Sequence, residues 1–272
     1  MTDAVIFSAW VPQHLLHRGE QYLQYLYEYF LDCDIFCGLN VQTSPAFLDM
    51  IEAYKRKGLK IEYKCVAPSM SSSSDMSGFQ AALSLYKFTN KNYNTVFFSH
   101  TKSITHPEKN HKEGVEHMVV SFHKNRQRAS RLIHSNPRIG GWTAVGRLNY
   151  EHLSLNKIEE YFPFPCQALP LTYVLTNYAM RGSLIKQFID GCNPTFFTTT
   201  YDALGYNRYF FEFYFPNIIS KMGYIPLVDE LWEVSTQQVA RIQMKADFDT
   251  WKAQRIMTQY LEYIDSFEGM KP

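Results

Sequence analysis

The sequence predicts a single α/β domain in which a mostly parallel sheet carries helices on both faces. Three observations predict it. Short β-prone apolar runs alternate with amphipathic stretches of helical period through the first hundred residues. The fourth such run, Thr95 to Ser99, with Val96-Phe97-Phe98 in succession at its centre, is the most strongly buried-looking, as a strand covered on both faces should be. The chain is also long enough, at 272 residues with 46% hydrophobic content, to bury a sizeable core.

The elements follow in order. Ala4 to Trp10 is a β-prone run ended by Pro12, and Gln13 to Leu31 reads as a helix with Leu16, Leu23, Leu26, Tyr27 and Phe30 near helical spacing. Asp34 to Leu39 is the second strand. Phe47 to Lys57 is a helix closed by Gly58 in the expected C-terminal place. Lys60 to Val66 alternates and forms the third strand. Ser71 to Ser74 reads as a mobile loop, and Phe79 to about Thr89 as the third helix, before the strand Thr95 to Ser99. This β-α-β-α-β-α-β order is the pattern of a parallel sheet.

The second half is less regular. Gly114 to His134 reads as one helix with a basic face (Lys124, Arg128, Arg131), and Ile139 to Val145 as a strand interrupted by Gly140-Gly141. Pro170 to Asn177 is β-prone, Met180 to Ile189 helical, Tyr206 to Met222 an aromatic helix, and Tyr224 to Val228 an edge strand. Val239 to Phe267 is an amphipathic helical tail that would pack on the chain's own core, the favoured reading, or on a second subunit. No internal repeat is present.

Composition narrows the function. Formal net charge is +1, so bulk electrostatics call for neither nucleic acid nor an anionic membrane. No run is long and apolar enough to span a bilayer. The N-terminus lacks the pattern of a signal peptide, and five scattered cysteines (33, 37, 65, 166, 192) without CxxC spacing fit a reduced cytoplasm. His106, His111, His117 and His123 recur at spacings that do not share one helix face, so a zinc site is not expected. No phosphate loop, dinucleotide fingerprint or nucleophile elbow occurs.

In a parallel α/β sheet, ligands bind outside the carboxyl ends of the strands. Those ends are Ser8-Ala9-Trp10, Gly38-Leu39-Asn40, Ala67-Pro68 and Ser99-His100-Thr101-Lys102-Ser103, of which the last is the richest in polar groups. The one literal Asp-x-Asp, Asp32-Cys33-Asp34, lies between a helix end and a strand start, on the wrong edge; a cap and turn is its expected role.

Four βα units followed by a polar motif closing the fourth strand resemble the nucleotide-sugar half of a GT-A glycosyltransferase. In that superfamily the fourth strand is followed by an Asp-x-Asp that holds a divalent ion against the sugar diphosphate. Here the position reads Ser99-His100-Thr101-Lys102, which resembles polysaccharide-assembly transferases of the rhamnan-synthesis type. The resemblance covers roughly residues 4 to 106 in layout and touches the chain again around Tyr206 to Glu212. It implies a GT-A-like fold within one domain over 1–272, with residues 1–106 binding the nucleotide-sugar and 107–272 forming the acceptor side. It implies transfer of a sugar from a nucleotide-sugar donor to a glycan or glycoprotein acceptor, with no nucleic acid and no membrane span involved.

The substitution has a physical sense. Negative charge builds on the leaving phosphate, and preorganised cations can stabilise it in place of a metal. Lys102 and His100 would supply that charge, with Arg208 or Arg147 as helpers; magnesium or manganese is not expected where hard oxygen ligands are few. Glu212 is the first candidate for the base on the acceptor hydroxyl, because an unpaired carboxylate in an aromatic segment is costly; an ion pair to Arg208 is the alternative. Asp202 is the second candidate. Ser8, Trp10, Asn40, Ser99 and Thr101 lie at strand ends suited to donor contacts. Ser74 and Asp75 precede the third helix, where they would contact the donor or serve as an N-cap. Trp10, Trp142, Tyr173, Tyr201 and Tyr206 are candidate platforms for a sugar or base. Two rivals remain: a nucleotidyl- or phosphotransferase on a similar sheet, and a carbohydrate- or nucleotide-sugar-binding module without catalysis.

Overall fold

A computed structural model describes residues 2–66, 74–89, 91–101, 114–148, 160–162, 171–173, 176–199 and 210–231. Strand β1 (Ala4–Ala9) leads through a 3-10 turn (Gln13–Leu15) into α1 (Leu16–Phe30). Then come β2 (Asp34–Asn40), α2 (Pro45–Arg56), β3 (Ile61–Val66), α3 (Ser74–Lys87) and β4 (Thr95–His100). The second half contains α4 (Gly114–Lys124), α5 (Arg126–Ser135), β5 (Ile139–Leu148), β6 (Leu171–Tyr173) and β7 (Tyr178–Arg181). It continues with α6 (Gly182–Gly191), the short α7 (Thr195–Thr198), α8 (Phe210–Lys221) and β8 (Ile225–Leu231).

The sheet runs β3-β2-β1-β4-β7-β5-β6, with β8 paired to β5. β3, β2, β1 and β4 are parallel, Ile6 lying between Phe36 and Phe98 in register. β7 then runs antiparallel to β4, with Phe98 opposite Tyr178, and β8 returns to parallel pairing with β5. The start of β7 therefore lies beside the end of β4. This places residues from the irregular second half on the edge where the parallel strands terminate.

Strand alternation divides the interior into two cores. One gathers Ile6, Phe36, Phe98, Tyr178 and Met180 under α3, α6 and α8. The other gathers Val5, Phe7, Phe97 and Trp142 under α1, α2, α4 and α5. The aromatic wealth of the chain is spent largely here. Phe98 stacks on Tyr178 at 4.8 Å, and Phe162 stacks on Phe188 and Phe210 at 4.7 and 4.6 Å.

Several boundaries differ from the sequence expectation for identifiable reasons. α2 begins at Pro45, two residues before the expected Phe47, because the Ser44 hydroxyl accepts from the Ala46 amide as an N-cap. Its other end is as expected, Gly58 taking φ +103 after the last turn. α3 starts at Ser74 rather than Phe79. Gly78 is kept inside the helix because a Cβ there would lie 2.1 Å from the Ser8 hydroxyl, so the helix crosses the sheet at close range. The expected helix from Gly114 to His134 is two helices parted at Asn125, where Arg126 turns inward to Asp3 at 3.2 Å. Met180 belongs to a strand, opposite Val96, and the following helix opens at Gly182. The glycine pair of β5 marks a bulge against β8 as the interrupted run implied.

Asp32 and Asp34 sit at the amino-terminal edge of the sheet. Asp32 pairs with Arg126 at 3.0 Å, while Asp34 accepts from Lys91 at 2.8 Å and from the Tyr93 hydroxyl at 2.9 Å. Burial pushes the Asp34 carboxyl up, but the bonds from Lys91 and Tyr93 outweigh it and hold the group below its usual range. The pair is structural. Ser74, expected to end a loop, is the first residue of α3, while Ser71 to Ser73 and the tail from Val239 to Phe267 lie outside the described residues.

Candidate functional site

At the carboxyl edge, β1 and β4 are tied together beyond their last strand pair. The Thr101 amide donates to the Ser8 carbonyl at 3.1 Å, and the Trp10 amide donates to the Thr101 hydroxyl at 3.1 Å. Thr101 is buried, so its side chain fixes where the chain leaves β4. Asn40, also buried, accepts from the Gln42 amide at 2.9 Å and builds the turn into α2. Ser8 lies under α3. Gly38 beside it would place a Cβ 1.8 Å from the Gly78 carbonyl oxygen, so Ser8, Gly38 and Gly78 form a small-residue seat for the first turns of that helix. Ser74 and Asp75 are its first two residues.

The end of β4 presents opposite faces in turn. Ser99, fully buried, points to α4: its hydroxyl lies 3.4 Å from His123 Nε2. His123 Nδ1 is 2.6 Å from the Val119 carbonyl, which can only accept, so Nδ1 carries the proton and Nε2 accepts from Ser99. The rings of Tyr25, Phe30 and Phe122 surround this imidazole. Burial lowers its pKa to about 4, against a smaller upward pull from the Val119 bond, so His123 is neutral. His100 faces the other core, 1% exposed, with its ring 5.8 Å from Phe79.

Phe79 joins β4 to α8, since its ring also lies 5.4 Å from Phe211. Gln80, next to it, donates to the carbonyls of Phe196 and Thr199, the latter at 2.7 Å, and so binds α7 to α3. Glu212 follows Phe211 in the first turn of α8, where a carboxylate is favoured by the helix dipole. Pro216 lies inside this helix and lacks the amide proton that would bond the Glu212 carbonyl four residues earlier. Glu212 is half-buried, and the Thr176 hydroxyl donates to its Oε1 at 3.3 Å. Thr176 has φ 49, a left-handed conformation that a β-branched residue rarely adopts. Next to it, the Asn177 side chain and the Tyr178 hydroxyl are buried with no hydrogen-bond partner among the described residues. Burial, and then the Glu212 carboxylate, hold the Tyr178 hydroxyl well above its usual pKa.

The predicted site residues thus separate. Ser8, Thr101, His100 and Glu212 lie along one edge, and Trp10 is half-buried at its rim. Ser99 and Asn40 are there too, with side chains engaged inside the protein. Trp142 is not a platform: it is fully buried and stacked on Phe122 at 6.1 Å, and Tyr173 is likewise core. Lys102, Asp202, Arg208, Tyr201 and Tyr206 lie outside the described residues, and Arg147 is placed only by its backbone, opposite Thr172. Sequence reading passed over Thr176 and Tyr178, because the run Pro170 to Asn177 looked like one strand. The Thr-Asn pair inside it was the available signal of a break.

Among the described residues, no group of three His, Cys, Asp or Glu side chains is placed to hold a metal, and no helix is long and apolar enough to cross a membrane. A cavity of about 490 Å³ lies on the opposite edge, lined by Asp34, Lys55, Lys60, Phe88 and Lys91 among others. Its place at the strand starts sets it apart from the edge where α/β sheets bind ligands.

No protein-family model matches the chain, and no curated protein matches it in sequence. Some solved structures are similar to it at low identity. A protein assigned as a glucose-1-phosphate thymidylyltransferase from Bacillus anthracis, solved with sucrose, has a TM-score of 0.45 and 11% identity over 85% of this chain and 87% of that one. Residues 1–349 of S. aureus TarS in complex with UDP-GlcNAc give a TM-score of 0.36 and 12% identity, covering 69% of this chain and 47% of that one. A 4-diphosphocytidyl-2C-methyl-D-erythritol synthase from Anaerococcus prevotii gives 0.41 and 10% over 87% and 92% of the two chains. The assignment of this chain as an α/β fold with a mostly parallel sheet flanked by helices rests on the ladders described above.

Proposed function

We propose that this chain is a glycosyltransferase that moves a sugar from a nucleotide-sugar to a carbohydrate or glycoprotein-glycan acceptor without a bound metal. The observation that carries the reading is Glu212. A carboxylate held by Thr176 stands in the aromatic first turn of α8, right after Phe211, whose ring shares Phe79 as a neighbour with His100 at the end of the fourth strand.

In the proposed reaction the nucleotide lies over the ends of β1 and β2, and the diphosphate beyond β4. Glu212 accepts the proton of the acceptor hydroxyl as that oxygen bonds to the anomeric carbon. The bond from that carbon to the phosphate oxygen breaks, and the nucleoside diphosphate leaves with the electron pair. Lys102, following His100 and Thr101, would neutralise the charge that develops there. His100 and Thr101 are both buried at the end of β4, so their part in this reading is to hold that strand end in place.

The test is a thermal-shift screen of the purified chain against UDP-, GDP-, CMP- and dTDP-sugars, with EDTA and with manganese. One nucleotide class should raise the melting temperature by mass action, equally with EDTA. A shift that needs manganese would overturn the metal-free mechanism, and no shift with any donor would favour the binding-module reading. Once a donor is found, Lys102→Ala should lower turnover of that donor by roughly a hundredfold or more; full activity in the variant would remove Lys102 from the mechanism.

A further inference from the structure

We propose that β3 is a dimerisation edge, pairing antiparallel with the β3 of a second copy of this chain about a two-fold axis at Tyr63. The proposal concerns the outermost strand of the sheet and does not depend on the reaction assigned to the strand ends.

The first observation is an open strand. β3 ends the sheet, and among the described residues β2 is its one strand partner. The Ile35 amide donates to the Lys60 carbonyl at 2.8 Å, while Ile35 itself stands opposite Ile61. In a parallel ladder that register turns the backbone groups of Glu62 and Lys64 towards β2. The N–H and C=O groups of Tyr63 and Cys65, and the carbonyl of Ile61, therefore point outward. Such a row is a template for another strand.

The second observation is charge that complements itself. Glu62 and Lys64 are exposed and flank Tyr63. Antiparallel pairing centred on Tyr63 sets the Glu62 of each copy opposite the Lys64 of the other, so the two-fold axis forms the ion pair twice. Both pairs fall at positions without backbone hydrogen bonds, where opposing side chains come closest. Neighbouring registers fare worse. Centred on Glu62, glutamate meets glutamate and Lys60 meets Lys64; centred on Lys64, lysine meets lysine. Centred on Ile61, the charges would match but Leu59 would have to join the ladder. Its amide already donates to the Tyr54 carbonyl at 3.0 Å, and its carbonyl accepts from the Ile61 amide at 3.1 Å. The charges that keep other strands off this edge thus admit one register of its own copy.

The flanking side chains fit the same arrangement. Tyr63 is half-buried against the core under α2, with the Lys55 ammonium 5.6 Å from its ring, and would meet its counterpart across the axis. Phe88, 80% exposed just after α3, shares the cavity at the start of β3 with Ile61 and Glu62. Antiparallel pairing brings the far end of the second copy's β3 to that place, where it can cover the ring.

Sedimentation velocity of the purified chain at low salt, over about a hundredfold range of micromolar concentrations, should show monomer passing into dimer. A monomer throughout overturns the proposal. Glu62→Lys and Lys64→Glu each set like charges opposite one another and should weaken the dimer roughly tenfold or more, with unchanged circular dichroism. Mixed in equal amounts, the two variants should associate as the unaltered chain does, because each supplies the charge that the other lacks. Dimers indifferent to the single changes, or variants that stay apart on mixing, refute the register. Tyr63→Cys, made together with Cys65→Ser and Cys166→Ser, tests the axis itself, since Cys33, Cys37 and Cys192 are buried. Facing residues at a hydrogen-bonded antiparallel position have Cα atoms about 5.5 Å apart, within disulfide reach. Mild oxidation should therefore yield a covalent dimer, and its absence would refute an axis at Tyr63.

Discussion

Acidification should destabilise this protein through His123. The imidazole is fully buried among Tyr25, Phe30 and Phe122, gives its Nδ1 proton to Val119 and accepts from Ser99. Its pKa falls from 6.5 in the free side chain to about 4 in the folded protein. The folded state thus refuses a proton that the unfolded chain takes up below pH 6.5, so stability is complete above that pH and is lost as pH falls towards 4. Between pH 7 and pH 5 the difference amounts to about 2 kcal/mol. For a chain of this size that is a fall of roughly 4–8 °C in melting temperature. Thermal melts at half-unit steps from pH 7 to pH 5 measure it. His123→Phe, a ring placed among rings, should lose about 1 kcal/mol at pH 7 with the two hydrogen bonds. It should also flatten the profile. The same acid slope in the variant as in the original chain would refute the reasoning.

Two further predictions concern packing that positions the site. Arg126→Met leaves Asp3, 8% exposed, without its cation, and should lower stability by about 3 kcal/mol in urea unfolding; adding Asp3→Asn should recover part of the loss, and an unchanged urea midpoint in the single variant would contradict the ion pair. Gly78→Ala puts a Cβ 2.1 Å from the Ser8 hydroxyl and 2.9 Å from its Cβ, and should cost roughly 1–3 kcal/mol. Ser8→Gly in the same background should return a measurable share in a double-mutant cycle, and strict additivity would show that α3 does not press on β1 there.

The sequence by itself determined the parallel half of this protein. Period-two and period-3.6 patterns are local, so β1 to β4 and the helices between them could be placed to within a few residues, and the strand-end rule pointed to Ser8, His100, Thr101 and the edge they share. The same rule separated Asp32 and Asp34 from that edge. Tertiary structure decided the rest, because it depends on distances between residues far apart in the chain. Gly78 sits inside a helix only because Gly38 and Ser8 leave room for it. Arg126 breaks the α4–α5 run because Asp3 waits 123 residues away. Trp142, a plausible platform in sequence, is core because its strand pairs with β7 through Ala179. Above all, β7 turns antiparallel and so brings Thr176, Asn177 and Tyr178 to the end of β4, beside a glutamate from α8. No local pattern encodes that meeting, since it arises from strand pairing, and strand pairing is fixed by the packing of both cores together.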